Sequence, residues 1–368
     1  MNIMISGGGT GGHIYPALTI YKTLKTMVDG KFLYVGTQRG LESRIVTKEG
    51  IPFTTLPVQG LQRKLSLDTL VTAGKTVSSL WKANQLISEY KPDIVIGTGG
   101  YVCGPLLFAA ALRGIPTLIQ EQNVVPGITN KILSRFVDVV AVGYEEAIRH
   151  FPKAKQVVYT GNPVRPNVVA ANREEARAYF GLQDGQTAIL VAGGSRGARS
   201  INKAMQAVHE HYKGREDIKI IHATGTDEYS RVCEILGIQE GDVYSSTSHI
   251  VPYLDNMDMA MAASDMAIFR SGAIGLAELA VRGIPSILIP YPYAAADHQT
   301  FNAKAFVEAG ASKMIVDSEL DGTRLLQAVE AMLENQECRQ RMAQATLQLG
   351  KAQAATEIAK LALSIAKL

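Results

Sequence analysis

Nowhere in its 368 residues does this sequence hold an uninterrupted apolar run of about 18 residues, the length a helix needs to cross a bilayer. A membrane-spanning helix is therefore not expected. Cysteine is scarce as well. Cys103, Cys233 and Cys338 are far apart, odd in number, and belong to no CxxC pair or histidine cluster. That excludes a disulfide framework and a structural zinc site, and it points to reduced thiols in a cytosolic compartment. Neither sign of charge is in excess, with 37 Lys and Arg against 34 Asp and Glu and a net charge of +3. Such a balance supplies no global field for nucleic acid, which is not expected as a partner. The sequence has no DxD triplet of the kind that chelates metal for nucleotide diphosphates, so neither a metal ion nor another cofactor is expected. It also lacks a GxxxxGKS or GxxxxGKT phosphate loop, which argues against nucleoside triphosphate hydrolysis.

What is present reads as an α/β protein. Apolar residues make up 46% of the chain and charged residues 19%, with 34 Gly and 14 Pro, the profile of a folded globule rather than a disordered chain. The length suits two domains of roughly 150 to 200 residues each, and two domains imply a cleft. The opening residues Met1 to Ser6 lack the basic region and cleavage site of a signal peptide, and they read as a first strand.

Short β-rich runs at 3–6, 32–35, 93–97, 117–120 and 137–142 alternate with helix-length stretches at 15–27, 65–90 and 104–113. The second half repeats the pattern, with strands expected at 188–192, 218–222, 266–269, 286–289 and 313–316. Right-handed βαβ units and two parallel sheets follow. The stretch 161–167, with Pro163 and Pro166, separates the two series and is taken as the linker, giving domains 1–163 and 164–351. From residue 325 the chain reads as helical to its end. The alanine-rich helix at 352–368 packs either on the first domain or on its own, and spacing does not decide between them.

Three glycine turns follow strands and open helices. The first, Gly7-Gly8-Gly9-Thr10-Gly11-Gly12, leads into His13 and a helix expected to start near Pro16. Glycines let the backbone approach a ligand closely, while unpaired N–H groups and the helix dipole favour an anion. Gly7, Gly9 and Gly12 also satisfy GxGxxG. A dinucleotide reading, however, needs an acidic residue after the second strand, and that strand runs instead into Gly36-Thr37-Gln38. A tight turn with no ligand is the plain alternative. The second turn, Gly193-Gly194-Ser195-Arg196-Gly197, stands at the corresponding place in the second half, where Ser195 can donate to a diphosphate. The third, Gly97-Thr98-Gly99-Gly100-Tyr101, precedes Gly104-Pro105 and puts Tyr101 beside the same site.

The chain carries, in order, Gly-Gly-Thr-Gly-Gly-His, Gly99-Gly100-Tyr101, Glu121-Gln122-Asn123, Gly161-Asn162-Pro163-Val164-Arg165, Gly193-Gly194-Ser195 and Arg270-Ser271-Gly272-Ala273. With these motifs, spread over nearly its whole length, it resembles the MurG family of peptidoglycan N-acetylglucosaminyltransferases. The resemblance implies a GT-B fold, two Rossmann-like parallel-sheet domains facing across a cleft. It further implies inverting transfer of N-acetylglucosamine from UDP-GlcNAc to the C4 hydroxyl of undecaprenyl-diphospho-MurNAc-pentapeptide, lipid I, at the cytoplasmic face of a bacterial cell membrane.

By the same resemblance the second domain holds the donor. Arg165 and Ser195 fall near the diphosphate, Leu254 near the uracil and Glu278 on the ribose, while Asn123 and Gln299 touch the transferred sugar. Arg270 and Ala273 belong to the matching motif, and the helix opened by Ala273 presents N–H groups suited to a phosphate. Gln299 and Asn302 are three apart and able to face one ligand. The first turn, with Thr10, Gly11 and Gly12, falls to the acceptor's diphosphate. At Ile274-Gly275 and His298 the chain departs from residues that some relatives carry, which leaves side-chain contacts there unassigned.

Inverting transfer needs a base for the acceptor hydroxyl and stabilisation of the departing diphosphate. His13 is the first candidate, since imidazole is a competent base near neutral pH, and Glu121 is the reserve. A histidine that merely orders the loop remains the alternative. The segment 61–86 interleaves Arg63, Lys64, Lys75 and Lys82 with Leu65, Leu67, Leu70, Val71, Leu80 and Trp81, as a peripheral patch on an anionic membrane would; an amphipathic helix packed on its sheet reads the same way. Two rivals stay open: a UDP-GlcNAc 2-epimerase on the same fold, which needs catalytic carboxylates and no lipid, and a sugar-nucleotide sensor without catalysis.

Overall fold

Residues 1–58 and 68–366 are described in a computed structural model of the chain, with the side chains of 68–77 excepted. The chain forms two compact units, Met1–Val164 together with Lys351–Leu368, and Arg165–Gly350.

In the first unit the strands β1 (Asn2–Ser6), β2 (Lys31–Gly36), β3 (Phe53–Thr55), β4 (Ile94–Gly97), β5 (Thr117–Glu121), β6 (Val139–Val142) and β7 (Val157–Tyr159) form one parallel sheet in the order β3-β2-β1-β4-β5-β6-β7. Helices α1 (Gly11–Met27), α2 (Leu41–Lys48), α3 (Asp68–Tyr90), α4 (Cys103–Leu112) and α5 (Ile128–Leu133) connect them. Strands β4 and β6 are apolar throughout and buried, as expected of a sheet covered on both faces. The winding runs outward from β1 to β3, then restarts at β4 on the other side of β1. Crossovers therefore diverge at the β1/β4 boundary, and the carboxyl ends of those strands frame a crevice.

The chain's last helix, Ala354–Ile365, belongs to this unit: Ile358, Ala359 and Ala362 are fully buried with Ile3, Ile5, Ile14, Ile20 and Leu118. Gly161, at φ +80, lets the chain pass Lys351, whose ammonium lies 4.9 Å from the Tyr159 ring centroid.

The second unit is built the same way. Its strands β8 (Thr187–Ala192), β9 (Ile218–Ala223), β10 (Ser248–Val251), β11 (Met266–Phe269), β12 (Ser286–Leu288) and β13 (Ser312–Met314) are parallel, in the order β10-β9-β8-β11-β12-β13. Short helices α6 (Pro166–Ala170) and α7 (Arg173–Tyr179) precede β8, and α8 (Arg199–His211), α9 (Tyr229–Leu236), α10 (Met257–Ala263), α11 (Ala273–Arg282) and α12 (His298–Glu308) link the strands. The winding reverses between β8 and β11.

Several sequence expectations need correction. The first helix begins at Gly11, with Pro16 inside it. Pro16 is the sixth helical residue, past the four free N–H groups of the first turn, so its missing N–H forgoes the bond to the Gly12 carbonyl. Strands β3, β7 and β10 were not expected, because three or four residues at a sheet edge are too short for a clear alternation. The run after residue 325 is three helices: α13 (Gly322–Glu334), α14 (Gln336–Leu349) and α15 (Ala354–Ile365). Asn335 caps the second by accepting the Cys338 N–H at 2.9 Å.

A buried polar chain crosses the second unit's core. His222 Nε2 lies 3.1 Å from Asn202 Oδ1, His222 Nδ1 lies 3.0 Å from His209 Nε2, and His209 Nδ1 lies 2.8 Å from Ser248 Oγ. Asn202 donates its amide to the Thr224 carbonyl at 2.8 Å, so its oxygen must accept, and each proton along the chain is then fixed with both rings neutral. Burial holds His209 down at about 4 and His222 well below the usual histidine value.

The unfolded chain binds protons at these rings from about pH 6.5 downward while the fold resists them, so stability falls as pH drops from about 6.5 toward 4. The slope is up to about 1.4 kcal/mol per pH unit for each ring that must stay neutral. Urea unfolding at pH 7.5, 6.0 and 5.0 should follow this trend, and a His209→Gln/His222→Gln double variant should flatten it; equal midpoints at all three pH values would contradict the assignment.

Candidate functional site

In the first unit the carboxyl ends of β1, β4 and β5 converge. The turn after β1 needs its glycines: a side chain on Gly7 would collide with the Thr98 hydroxyl and the His13 carbonyl, and Gly9 takes φ +84. Tyr34 donates its hydroxyl to the Gly7 carbonyl at 2.6 Å, and burial raises that phenol well above its ordinary value. Glu42, fully buried, accepts from Thr37 N–H and Oγ–H at 3.0 and 2.6 Å through one oxygen, and from Gly9 N–H at 3.1 Å through the other. A protein carboxylate thus already sits on part of the first turn. Gly8 N–H bonds the Gly99 carbonyl at 3.3 Å, and among the described residues the N–H groups of Gly11 and Gly12 have no protein partner. They open α1 behind its N-cap residue Thr10. The expected anion site of this turn is therefore narrowed to the helix end itself.

His13 stands on the first turn of α1, half-buried, with Nδ1 2.9 Å from Gln122 Oε1. Thr98 Oγ donates to the His13 carbonyl at 2.7 Å, and Gly99, at φ +108, has room for no side chain because the imidazole occupies that space. Tyr101 lies beside Gly9. Cys103, buried below the turn, donates to the Ser6 and Gly99 carbonyls, and burial pushes its thiol up to about 11, so it is inert.

Glu121, the reserve base, is fully buried and committed: its oxygens accept from Asn123 N–H and Nδ2, Gly127 N–H and Asn130 Nδ2 at 2.9 to 3.1 Å. It holds the 121–130 segment in place, and with four donors on it this carboxylate is poorly placed to take a proton from a substrate. Asn123 is carried on that segment.

In the second unit Arg165 and Glu278 meet: Nε and Nη2 of Arg165 lie 2.6 and 3.1 Å from the two Glu278 oxygens, a fork-to-fork ion pair. The two expected ligand contacts are thus engaged with each other. Arg270 is held by Asp317 and Ser200 at 2.5 and 2.9 Å and by the Ile289 and Pro290 carbonyls, with its guanidinium 5.6 Å from the Tyr291 ring centroid. That engagement makes it a brace for the loops after β11 and β12. Ala273 is the first residue of α11, and the buried Asn302 donates to the Ser271 carbonyl at 3.2 Å, tying α12 to that turn. Gln299 accepts the Tyr291 N–H at 2.9 Å.

Ahead of Gln299, Ala296 and Asp297 both adopt left-handed φ near +50, a strain non-glycine residues carry at a cost of about 1 to 3 kcal/mol each. Ser195 is exposed in the turn after β8, its carbonyl accepting from Thr226 at 3.3 Å. Leu254, buried, follows β10 and leads into α10, which packs against α6 and α11.

Sequence reading gave no role to Glu42, Gln120, Gln122, Asn130 or Asn162, although Gln122 and Asn162 stood within its motifs. For Gln120 and Gln122 a signal existed, since four polar residues close an otherwise apolar buried strand. For Glu42 none did; only the fold brings it to Gly9. Among the described residues no three His, Cys, Asp or Glu side chains are grouped to hold a metal ion, and no helix is long and apolar enough to cross a membrane.

Of the expected lipid-facing segment, 61–67 and the side chains of 68–77 lie outside the described residues. Trp81 is 68% exposed. On α4, packed beside α3, and on α5, packed beside α4, Leu112, Ile128 and Ile132 are likewise exposed, and Lys82, Arg113, Lys131 and Arg135 are exposed on the same three helices or at their ends.

Comparison with known proteins gives a consistent picture. Residues 3–142 match the glycosyltransferase family 28 N-terminal domain, and residues 188–361 match its C-terminal domain. A UDP-N-acetylglucosamine--N-acetylmuramyl-(pentapeptide) pyrophosphoryl-undecaprenol N-acetylglucosamine transferase of Desulfitobacterium hafniense is 47% identical over 367 residues, covering 100% of both chains. Its namesake in Desulforamulus reducens is 47% identical over 98% of this chain and 97% of its own. The crystal structure of Acinetobacter baumannii MurG superposes with a TM-score of 0.79 at 30% identity, covering 99% of each chain. A UDP-GlcNAc 2-epimerase from Neisseria meningitidis has a TM-score of 0.68 at 14% identity, which speaks to the fold alone.

The role of Glu42 is testable. Glu42→Gln keeps the shape but leaves one oxygen for three donors and turns an amide hydrogen toward them, at a cost of about 1 to 3 kcal/mol. The urea midpoint should fall with little change in slope; an unchanged midpoint would show that the turn does not depend on this carboxylate.

Proposed function

The chain belongs to glycosyltransferase family 28, and from that membership we propose that it transfers N-acetylglucosamine from UDP-GlcNAc to the C4 hydroxyl of undecaprenyl-diphospho-MurNAc-pentapeptide. The observation that carries this reading is the full-length likeness to transferases of that name at 47% identity. The epimerase reading rests on fold likeness alone, and the site holds a histidine where that rival needs free carboxylates.

The chemistry follows from the residues. His13 takes the acceptor hydroxyl's proton on Nε2, which has no protein partner among the described residues. The hydroxyl oxygen forms a bond to the sugar's anomeric carbon as the bond from that carbon to the diphosphate breaks, with inversion, and UDP leaves with the electron pair. Charge on the leaving diphosphate is met in the second unit by the N-terminus of α11, the Gly193–Gly197 turn and Arg165. Donor binding redistributes the Arg165–Glu278 pair, freeing the guanidinium for phosphate and the carboxylate for the ribose hydroxyls. The acceptor's diphosphate lies at the α1 N-terminus, with Tyr101 and Asn123 beside it. Trp81, Leu112, Ile128 and Ile132, with the basic residues among them, dock the first unit on the anionic cytoplasmic leaflet where the lipid acceptor lies.

Incubation with UDP-GlcNAc and a short-chain lipid I analogue should yield the disaccharide product and UDP, and activity should persist with EDTA present. His13→Ala should lower kcat by about 100-fold or more, the usual worth of a general base. No product from the wild-type protein would overturn the reading. Lys131→Gln and Arg135→Gln should each weaken sedimentation with phosphatidylserine vesicles about fivefold, as loss of about 1 kcal/mol per cation implies; unchanged binding would remove this face from the membrane contact.

A further inference from the structure

The orientation of one buried amide determines which nitrogen of His13 carries its proton. Gln122 is 2% exposed. One end of its amide lies 2.7 Å from the Thr98 carbonyl oxygen and 3.0 Å from the Gln120 carbonyl oxygen. Backbone carbonyls only accept, so that end is Nε2. The same nitrogen lies 2.6 Å from Gln120 Oε1, and Gln120 is itself oriented, its Nε2 donating to the Glu121 carbonyl at 3.1 Å and to Asn162 Oδ1 at 3.0 Å. Asn162 in turn donates to the Gln122 carbonyl at 2.9 Å. Three buried amides therefore lock one another, each anchored by a main-chain carbonyl.

The end of Gln122 facing His13 is then an oxygen, which can only accept. Nδ1 of His13, 2.9 Å away, must carry a proton, so in the neutral ring it is Nε2 that keeps the lone pair. We propose that Gln122 is the positioning residue of the transfer reaction, holding His13 in the Nδ1–H tautomer through the Gln122-Gln120-Asn162 amide chain. Gln122 does not touch the reacting atoms. It selects the base-competent form of the ring before the acceptor arrives, and it strengthens its bond to Nδ1–H once Nε2 has taken the proton. The other tautomer would point a donor at the acceptor hydroxyl and could take no proton there. The proposal rests on the reading of His13 as the base, and its test separates the two.

The tautomer is read without turnover by nitrogen-15 NMR of histidine-labelled full-length protein at a pH where the ring is neutral, with His13 assigned by its loss in His13→Ala. Couplings to the ring protons distinguish the protonated nitrogen from the lone-pair nitrogen. The wild type should hold a single form, protonated at Nδ1. Gln122→Met, which removes the acceptor, should give a mixture or the Nε2–H form, and kcat should fall about tenfold or more while the KM for UDP-GlcNAc changes less than about threefold. Gln122→Glu keeps an oxygen toward Nδ1 while its other oxygen, when protonated, can face the two carbonyls, so it should retain the Nδ1–H form and recover kcat relative to Gln122→Met.

An Nε2–H tautomer in the wild type, or equal loss in the Met and Glu variants, would overturn the proposal while leaving the base assignment to the His13→Ala assay. Conversely, full activity in His13→Ala with the tautomer as stated would sink the base assignment and leave the amide lock standing.

Discussion

The winding of each sheet reverses once, and the glycine turns after β1, β4 and β8 lie beside those reversals. In a parallel sheet every crossover must leave from the carboxyl end of a strand, and right-handed crossovers on the two sides of a reversal leave toward opposite faces. Beside β1 and β4, and again beside β8 and β11, the connections on the two sides of the reversal therefore diverge. In the turns beside β1 and β4, glycine appears where the packing leaves no room for a side chain, at Gly7 against Thr98 and at Gly99 against His13.

The two crevices meet charge differently. The first has a carboxylate of its own: Glu42 occupies the Gly9 N–H, and Glu121, one strand over, is saturated by four donors. What remains open is the end of α1 and the His13 ring, braced by the neutral amide of Gln122. The second crevice offers a guanidinium and a carboxylate that satisfy each other in the absence of ligand. An ion pair of this kind holds both partners in a fixed orientation and satisfies each charge with the other. The inequality of the glycine turns thus comes from the residues standing behind them.

Much of the scaffold was legible because apolar runs ending in glycine or polar residues stand out: β1, β4, β8 and β11 lie where the pattern put them, to within a residue or two. Edge strands β3, β7 and β10 escaped, since three or four half-buried residues carry no periodicity. His13 drew attention by its place behind a glycine turn. Glu42 was not, because 33 residues separate it from Gly9 and only the β1/β2 pairing brings them together. Gln122 stood within a motif already noticed, yet its importance lies in the direction its amide faces, a property of the surrounding carbonyls. Arg270 looked like a ligand contact by motif and proves to be tied to Asp317, Ser200 and two carbonyls.

The central claim is that the two units divide the reaction, with the nucleotide held by the second and the acceptor by the first. Hydrogen–deuterium exchange with and without UDP measures this directly. The account predicts slowed exchange at the turn 193–197, at the start of α11 and around 298–302, with the turn 7–13 unchanged. Protection of 7–13 by UDP, with 193–197 and α11 unaffected, would contradict it.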